Sequence, residues 1–240
     1  MIKLGFKHPW VEFGTYLTLG FAVCFALYLY SIVLEHGIDY PFLVVNLFLA
    51  LIPLLLSWRL SVVLKTKLWS AWEPLIITFL WLLFLPNSFY MISDYIHLQA
   101  LPNNTILYNA ILFSAFIYLA LFIGIASLYQ VHTELKKRIS SISAAAVITI
   151  VIIGCSFAIY LGRDLRWDSW DIVLNPGGLL FDISNLLLKP STYPDMGRTI
   201  SGFFVLIGFS YTLAFKTGRL LWKRGAADLA KRLKNDIRTQ

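Results

Sequence analysis

Leu75–Leu98 reads LIITFLWLLFLPNSFYMISDYIHL. Its first eleven residues are apolar apart from Thr78, and then the character changes. Pro86, Asn87, Ser88, Tyr90, Ser93, Asp94, Tyr95 and His97 follow in quick succession. If the helix continues past Pro86, then Asn87, Tyr90, Asp94 and His97 fall at i, i+3, i+7 and i+10, which is one helical face. Ionisable groups at membrane depth are costly to hold there, so a row of them marks a candidate site. The stretch therefore predicts a membrane-spanning helix that ends in a polar face.

The rest of the chain supports that reading. Of its 240 residues, 58% are hydrophobic and only 14% are charged, with a mean hydropathy of +0.72. A soluble domain carries about a quarter charged residues. Eight Trp and twelve Tyr suit the aromatic belts of a membrane interface. The expected fold class is an all-α polytopic bundle of six transmembrane helices. The spans are placed at Phe13–Leu34, Pro41–Val63, Pro74–Ile92, Ile106–Tyr129, Ile142–Leu161 and Ile200–Phe215, each near the length a bilayer requires. The first is too long for a signal-peptide core and is read as uncleaved. Residues 1–215 are read as the transmembrane domain and 216–240 as a basic cytoplasmic tail. Leu179–Leu188 is apolar but too short to span. It is expected to lie in the interface or fold back over the bundle before the last helix.

The net charge of +7 does not indicate a nucleic-acid partner. Eight of the twenty Lys and Arg residues lie in the tail, and most others flank apolar runs. Alternate loops hold two, three, three and eight of them, sixteen in all, against four on the other side. The positive-inside rule then puts both termini in the cytoplasm. The expected location is a plasma membrane, and basic clusters of this kind also meet anionic lipid. Cys24 and Cys155 each lie inside an apolar run and read as buried thiols rather than a disulfide or a metal site. Asn46 and Asn109 read as interhelical hydrogen-bonding amides, and His8, His36 and His132 as solvated or interfacial loop-edge residues.

A second polar block, GRDLRWDSWD at Gly162–Asp171, follows the fifth span and emerges on the same side as the first. Read as a helix, it places Arg163, Arg166, Trp167 and Trp170 on one side and Asp164, Asp168 and Asp171 on another. Paired arginines grip phosphate or carboxylate, so Arg163 and Arg166, with Asn87 and Tyr90, are candidate ligand-binding residues. Asp94 and His97 are three apart and suit either acid–base work or a metal. Asp94, His97 and Asp171 are the catalytic candidates, and Asp94, His97 and Asp168 the candidate ligands of a divalent metal.

FLPNSFYMISDYIHL followed by YLGRDLRWDSWDI resembles the paired blocks of the bacterial membrane family DUF1361, over roughly Phe13–Phe215. Pro86, Asn87, Tyr90, Asp94, His97, Arg163, Arg166, Asp168, Ser169 and Asp171 occupy the shared positions. Position 168 is also Asn in that pattern, which argues against an essential carboxylate there. The family is one of unknown function, so the resemblance implies a common fold and no activity. Three classes stay open. One is an enzyme or binding protein for a lipid headgroup or lipid-linked substrate at the outer face. Another is a transporter or ion-handling protein that uses Asp94 as a titratable site. The third is a structural protein whose blocks clamp helix ends together, with Asp94 accepting hydrogen bonds from Arg163 or Arg166. No oligomeric state follows from the residues.

Overall fold

The computed structural model describes residues 9–34, 40–100 and 106–238. His8, His36 and Asn103-Asn104-Thr105, a chance-level match to the N-glycosylation pattern, lie outside the described residues. Helices run over α1 (Pro9–Leu34), α2 (Pro41–Val63), α3 (Trp72–Tyr90), α4 (Ile106–Lys136), α5 (Ser141–Asp164), α6 (Asp171–Leu174), α7 (Pro176–Leu188) and α8 (Met196–Arg238), with no strand among the described residues. Six of them are long and apolar enough to cross a membrane, as the sequence predicts. The last span and the tail form one continuous helix, α8.

Local chemistry explains where the helices start. Pro41 and Pro176 stand in the first turns of α2 and α7, where the missing N–H costs nothing. The Ser140 hydroxyl accepts the Ser143 N–H to cap α5, and the Asn175 side chain accepts the Gly178 N–H to cap α7.

Packing centres on α2, which lies against α3 and α4, while α5 bridges α3 to α8 and α1 packs mainly on α4, with Phe21 and Phe25 also meeting Phe48 of α2. Lipid offers apolar side chains no solvent to flee, so close fit and interhelical hydrogen bonds must hold such a bundle. Both are present. Trp81, buried in α3, donates its indole N–H to Ser127 Oγ of α4 at 2.7 Å. Ser127 in turn donates to the Pro53 carbonyl of α2 at 2.9 Å. Ser88 donates to the Ala50 carbonyl at 3.0 Å. These bonds gather three helices around the proline inside α2, at which a kink is expected and where a membrane helix needs neighbours to restore its hydrogen bonding. Gly124 lets α4 approach α3: a Cβ there would sit 2.8 Å from Ser88 Cβ and from the Phe89 ring.

The basic end of the bundle is knitted by ion pairs. Glu73 pairs with Arg59 and Lys67, and buried Glu134 pairs with Lys137 and Arg138. Arg138 also donates to the Leu64 carbonyl at 2.9 Å and lies over the Trp69 ring. Arg138→Gln is expected to lower stability by about 2 kcal/mol, since a charged hydrogen bond to a buried carboxylate is lost. Thermal melting in detergent checks this. A Glu134→Gln, Arg138→Gln double variant that recovers nothing would show that the pair is not the cause.

His132 departs from expectation. It is buried in α4, hydrogen-bonded through Nδ1 to the Tyr211 hydroxyl and stacked on Phe215. The last turns of α4 extend beyond the expected span and meet α8, which removes His132 from solvent.

Candidate functional site

α3 runs through Pro86 to Tyr90 and then tightens into a 3₁₀ segment, Met91–Ala100. Residues three apart eclipse in a 3₁₀ helix, so Asp94 and His97 stay in line after the change of pitch. Asn87, Tyr90, Asp94 and His97 all line one cavity of about 480 Å³. Phe42 and Asn46 of α2 and Ala158, Ile159, Leu161 and Gly162 of α5 build further walls. Trp167–Trp170, Ile172 and Leu179 of α7 complete it. The two polar blocks thus meet at one end of the bundle, opposite the ion-paired basic end.

Their direct joint is a hydrogen bond from Asn87 Nδ2 to Ser169 Oγ, 3.1 Å long. Tyr90 packs beside Gly162, where a Cβ would come within 3.5 Å of its ring. Asp94 is 4% exposed and accepts one hydrogen bond, from Asn46 Nδ2 at 3.2 Å. The Asn46 amide therefore does bond between helical elements, and its acceptor is the buried acid. His97 lies further out, exposed and tilted against the Phe42 ring at 4.8 Å between centroids.

The second block is not one helix. α5 ends at Asp164, Arg166 takes a left-handed φ of 60°, and the Trp167 N–H folds back to the Leu161 carbonyl. A left-handed residue stops a helix by turning the chain out of its axis. The expected two-sided arrangement of arginines and aspartates is therefore lost. Arg163 and Arg166 are exposed and do not line the cavity, although Arg163 acts electrostatically on Tyr90. No salt bridge joins either arginine to Asp94 among the described residues. Asp168 stands at the cavity rim. Asp171 Oδ2 accepts the Asp168 N–H at 2.6 Å, which spends that carboxylate on closing the turn into α6.

Asp94, His97 and Asp168 share the cavity without forming a metal cluster. Among the described residues no group of three or more His, Cys, Asp or Glu side chains is placed to hold an ion.

α7 folds back over the end of α5, as one of its two expected placements has it. Leu186 is buried against Tyr160 and Leu161. Trp167 Nε1 donates to Asp182 Oδ2 of α7 at 3.0 Å, tying the loop to the helix above it. Asp182 and Phe42 were not among the residues singled out from sequence, because nothing local marks them. Asn46 carried a signal as an amide in an apolar helix, but nothing in its neighbours named its partner.

The model of the family described as "Protein of unknown function (DUF1361)" matches residues 45–212. The chain belongs to the DUF1361 family. The match spans α2 to α8 and includes both polar blocks, so every wall of the cavity except Phe42 lies within the DUF1361 region. No curated protein and no solved structure matches the chain.

Proposed function

We propose that this DUF1361 protein is a multi-pass ligand-binding protein of a bacterial plasma membrane. Its cavity opens on the extracytoplasmic side and both termini lie in the cytoplasm. The cavity itself carries the reading. Side chains from α2, α3, α5 and the loop before α6 converge on one space, and a nearly fully buried carboxylate stands in its wall. A volume of about 480 Å³ is within the range of small-molecule sites. A buried charge is costly and is kept where it serves a site or a partner. Orientation rests on the basic residues at the end away from the cavity.

Thiol labelling tests the reading, and the two native cysteines are buried, which keeps the background low. Asp168→Cys at the rim is expected to react with a membrane-impermeant maleimide added outside intact cells. Lys137→Cys is expected to react only after lysis. Reaction of Lys137→Cys from outside would reverse the orientation. Failure of Asp168→Cys to react even in purified protein would mean that the cavity is closed.

A further inference from the structure

We infer that the cavity selects a positively charged organic group, an alkylammonium, and that an anion such as phosphate is disfavoured there. The inference rests on the cavity being a ligand site. Among the described residues its lining includes Asp94 and Asp168 and not one Lys or Arg. Arg163 and Arg166, the candidates for phosphate recognition, are exposed and outside the lining, and Arg163 reaches the cavity only through its electrostatic effect on Tyr90. The buried Asp94 has only Asn46, a neutral donor, as hydrogen-bond partner among the described residues. An arriving cation can hold the Asp94 carboxyl ionised and gain an ion pair where water is scarce, whereas an arriving anion finds no cationic partner in the lining among the described residues.

The remaining walls favour the same class. Phe42, Tyr90, Trp167 and Trp170 line the space, and aromatic faces attract ammonium groups, tryptophan most strongly. Trp167 is held by its bond to Asp182. Trp170 is 47% exposed, at the mouth. A bare divalent ion fits poorly, since no three acidic, His or Cys side chains converge on one point among the described residues. The space is also far larger than an ion requires. An ammonium group on a free amine and one on a zwitterionic lipid headgroup present the same chemistry to these walls.

Equilibrium dialysis of the purified protein in a non-ionic detergent against labelled choline, ethanolamine and inorganic phosphate tests the inference. Wild type is expected to bind at least one of the two ammonium probes saturably and phosphate not at all. Asp94→Asn keeps the shape and is expected to weaken that binding by at least about tenfold, the loss of a charge-assisted contact. Trp170→Ala, on an exposed ring and so harmless to folding, is expected to weaken it several-fold. A parallel arm compares melting in nanodiscs of phosphatidylethanolamine and of phosphatidylglycerol. A stabilisation by phosphatidylethanolamine that Asp94→Asn abolishes supports a lipid as the source of the ammonium. Binding of the free probes without it supports a soluble amine. Phosphate binding that survives or strengthens in Asp94→Asn would overturn the cation class and leave the cavity a site. Absence of all ammonium effects, with Asp168→Cys still labelled, would overturn the cation class alone. Unlabelled Asp168→Cys in purified protein would instead remove the cavity on which it rests.

Discussion

Trp81→Ala is expected to cost about 3–5 kcal/mol, the range for deleting a large buried aromatic side chain. Trp81 is 1% exposed and sits in the cluster joining α2, α3, α4, α5 and α8. Truncation removes its packing and also the donor that holds Ser127 in place below Pro53. In a bilayer the packing loss dominates, because the apolar surface exposed would meet lipid rather than water. Trp81→Phe separates the two contributions. It keeps most of the ring volume and loses the indole N–H, so about 1 kcal/mol is expected. Melting of both variants in one detergent reads the difference. A Trp81→Ala loss of under about 1 kcal/mol would mean that the cluster repacks freely and that the three-helix contact is looser than the geometry implies.

Gly124→Val is expected to destabilise by about 3 kcal/mol, near the upper end for overpacking. A Cβ at 124 meets Ser88 Cβ and two atoms of the Phe89 ring at 2.8 Å, and both residues are buried. Neither can yield without moving α3 away from α4. Gly154→Val supplies the control, because nothing lies within 4 Å of its added Cβ. Its melting temperature is expected to stay near the wild-type value. Equal effects at the two positions would show that the loss comes from β-branching in a helix and not from the α3–α4 contact.

Much of the bundle is legible in the residues. Apolar runs of span length with charges near their ends leave little choice of architecture, and each expected span falls on an observed helix, the third running two residues past α3 into the 3₁₀ segment. The meeting of the two blocks is legible as well, from charge bias and the parity of crossings. What fails is local geometry past Asp164. Helical spacing predicts a continuous helix through Leu165–Asp171, and the left-handed Arg166 ends it, although a β-carbon makes that conformation uncommon and nothing nearby signals it. The arginines therefore leave the site to which their chemistry assigns them. Asp94 shows a second limit. Its partner, Asn46, is 48 residues upstream, and periodicity along one helix says nothing about which neighbour faces it. His132 shows a third, since only the path of α8 decides whether a residue near a loop is wet.

The bond between Asn87 and Ser169 joins residues 82 apart in the chain. Membrane proteins are made from one end, and this one lays down Asn46 and Asp94 well before their opposite wall. A nascent chain that has delivered α2 to α4 already contains the buried acid and its amide, but it has no Trp167, no Ser169 and no α7. The cavity is therefore a late product of biogenesis, absent until the fifth span and the helix after it have been threaded. A stalled or truncated translation product would carry the acid without its enclosure, so the finished cavity also serves as a record that synthesis ran past residue 179.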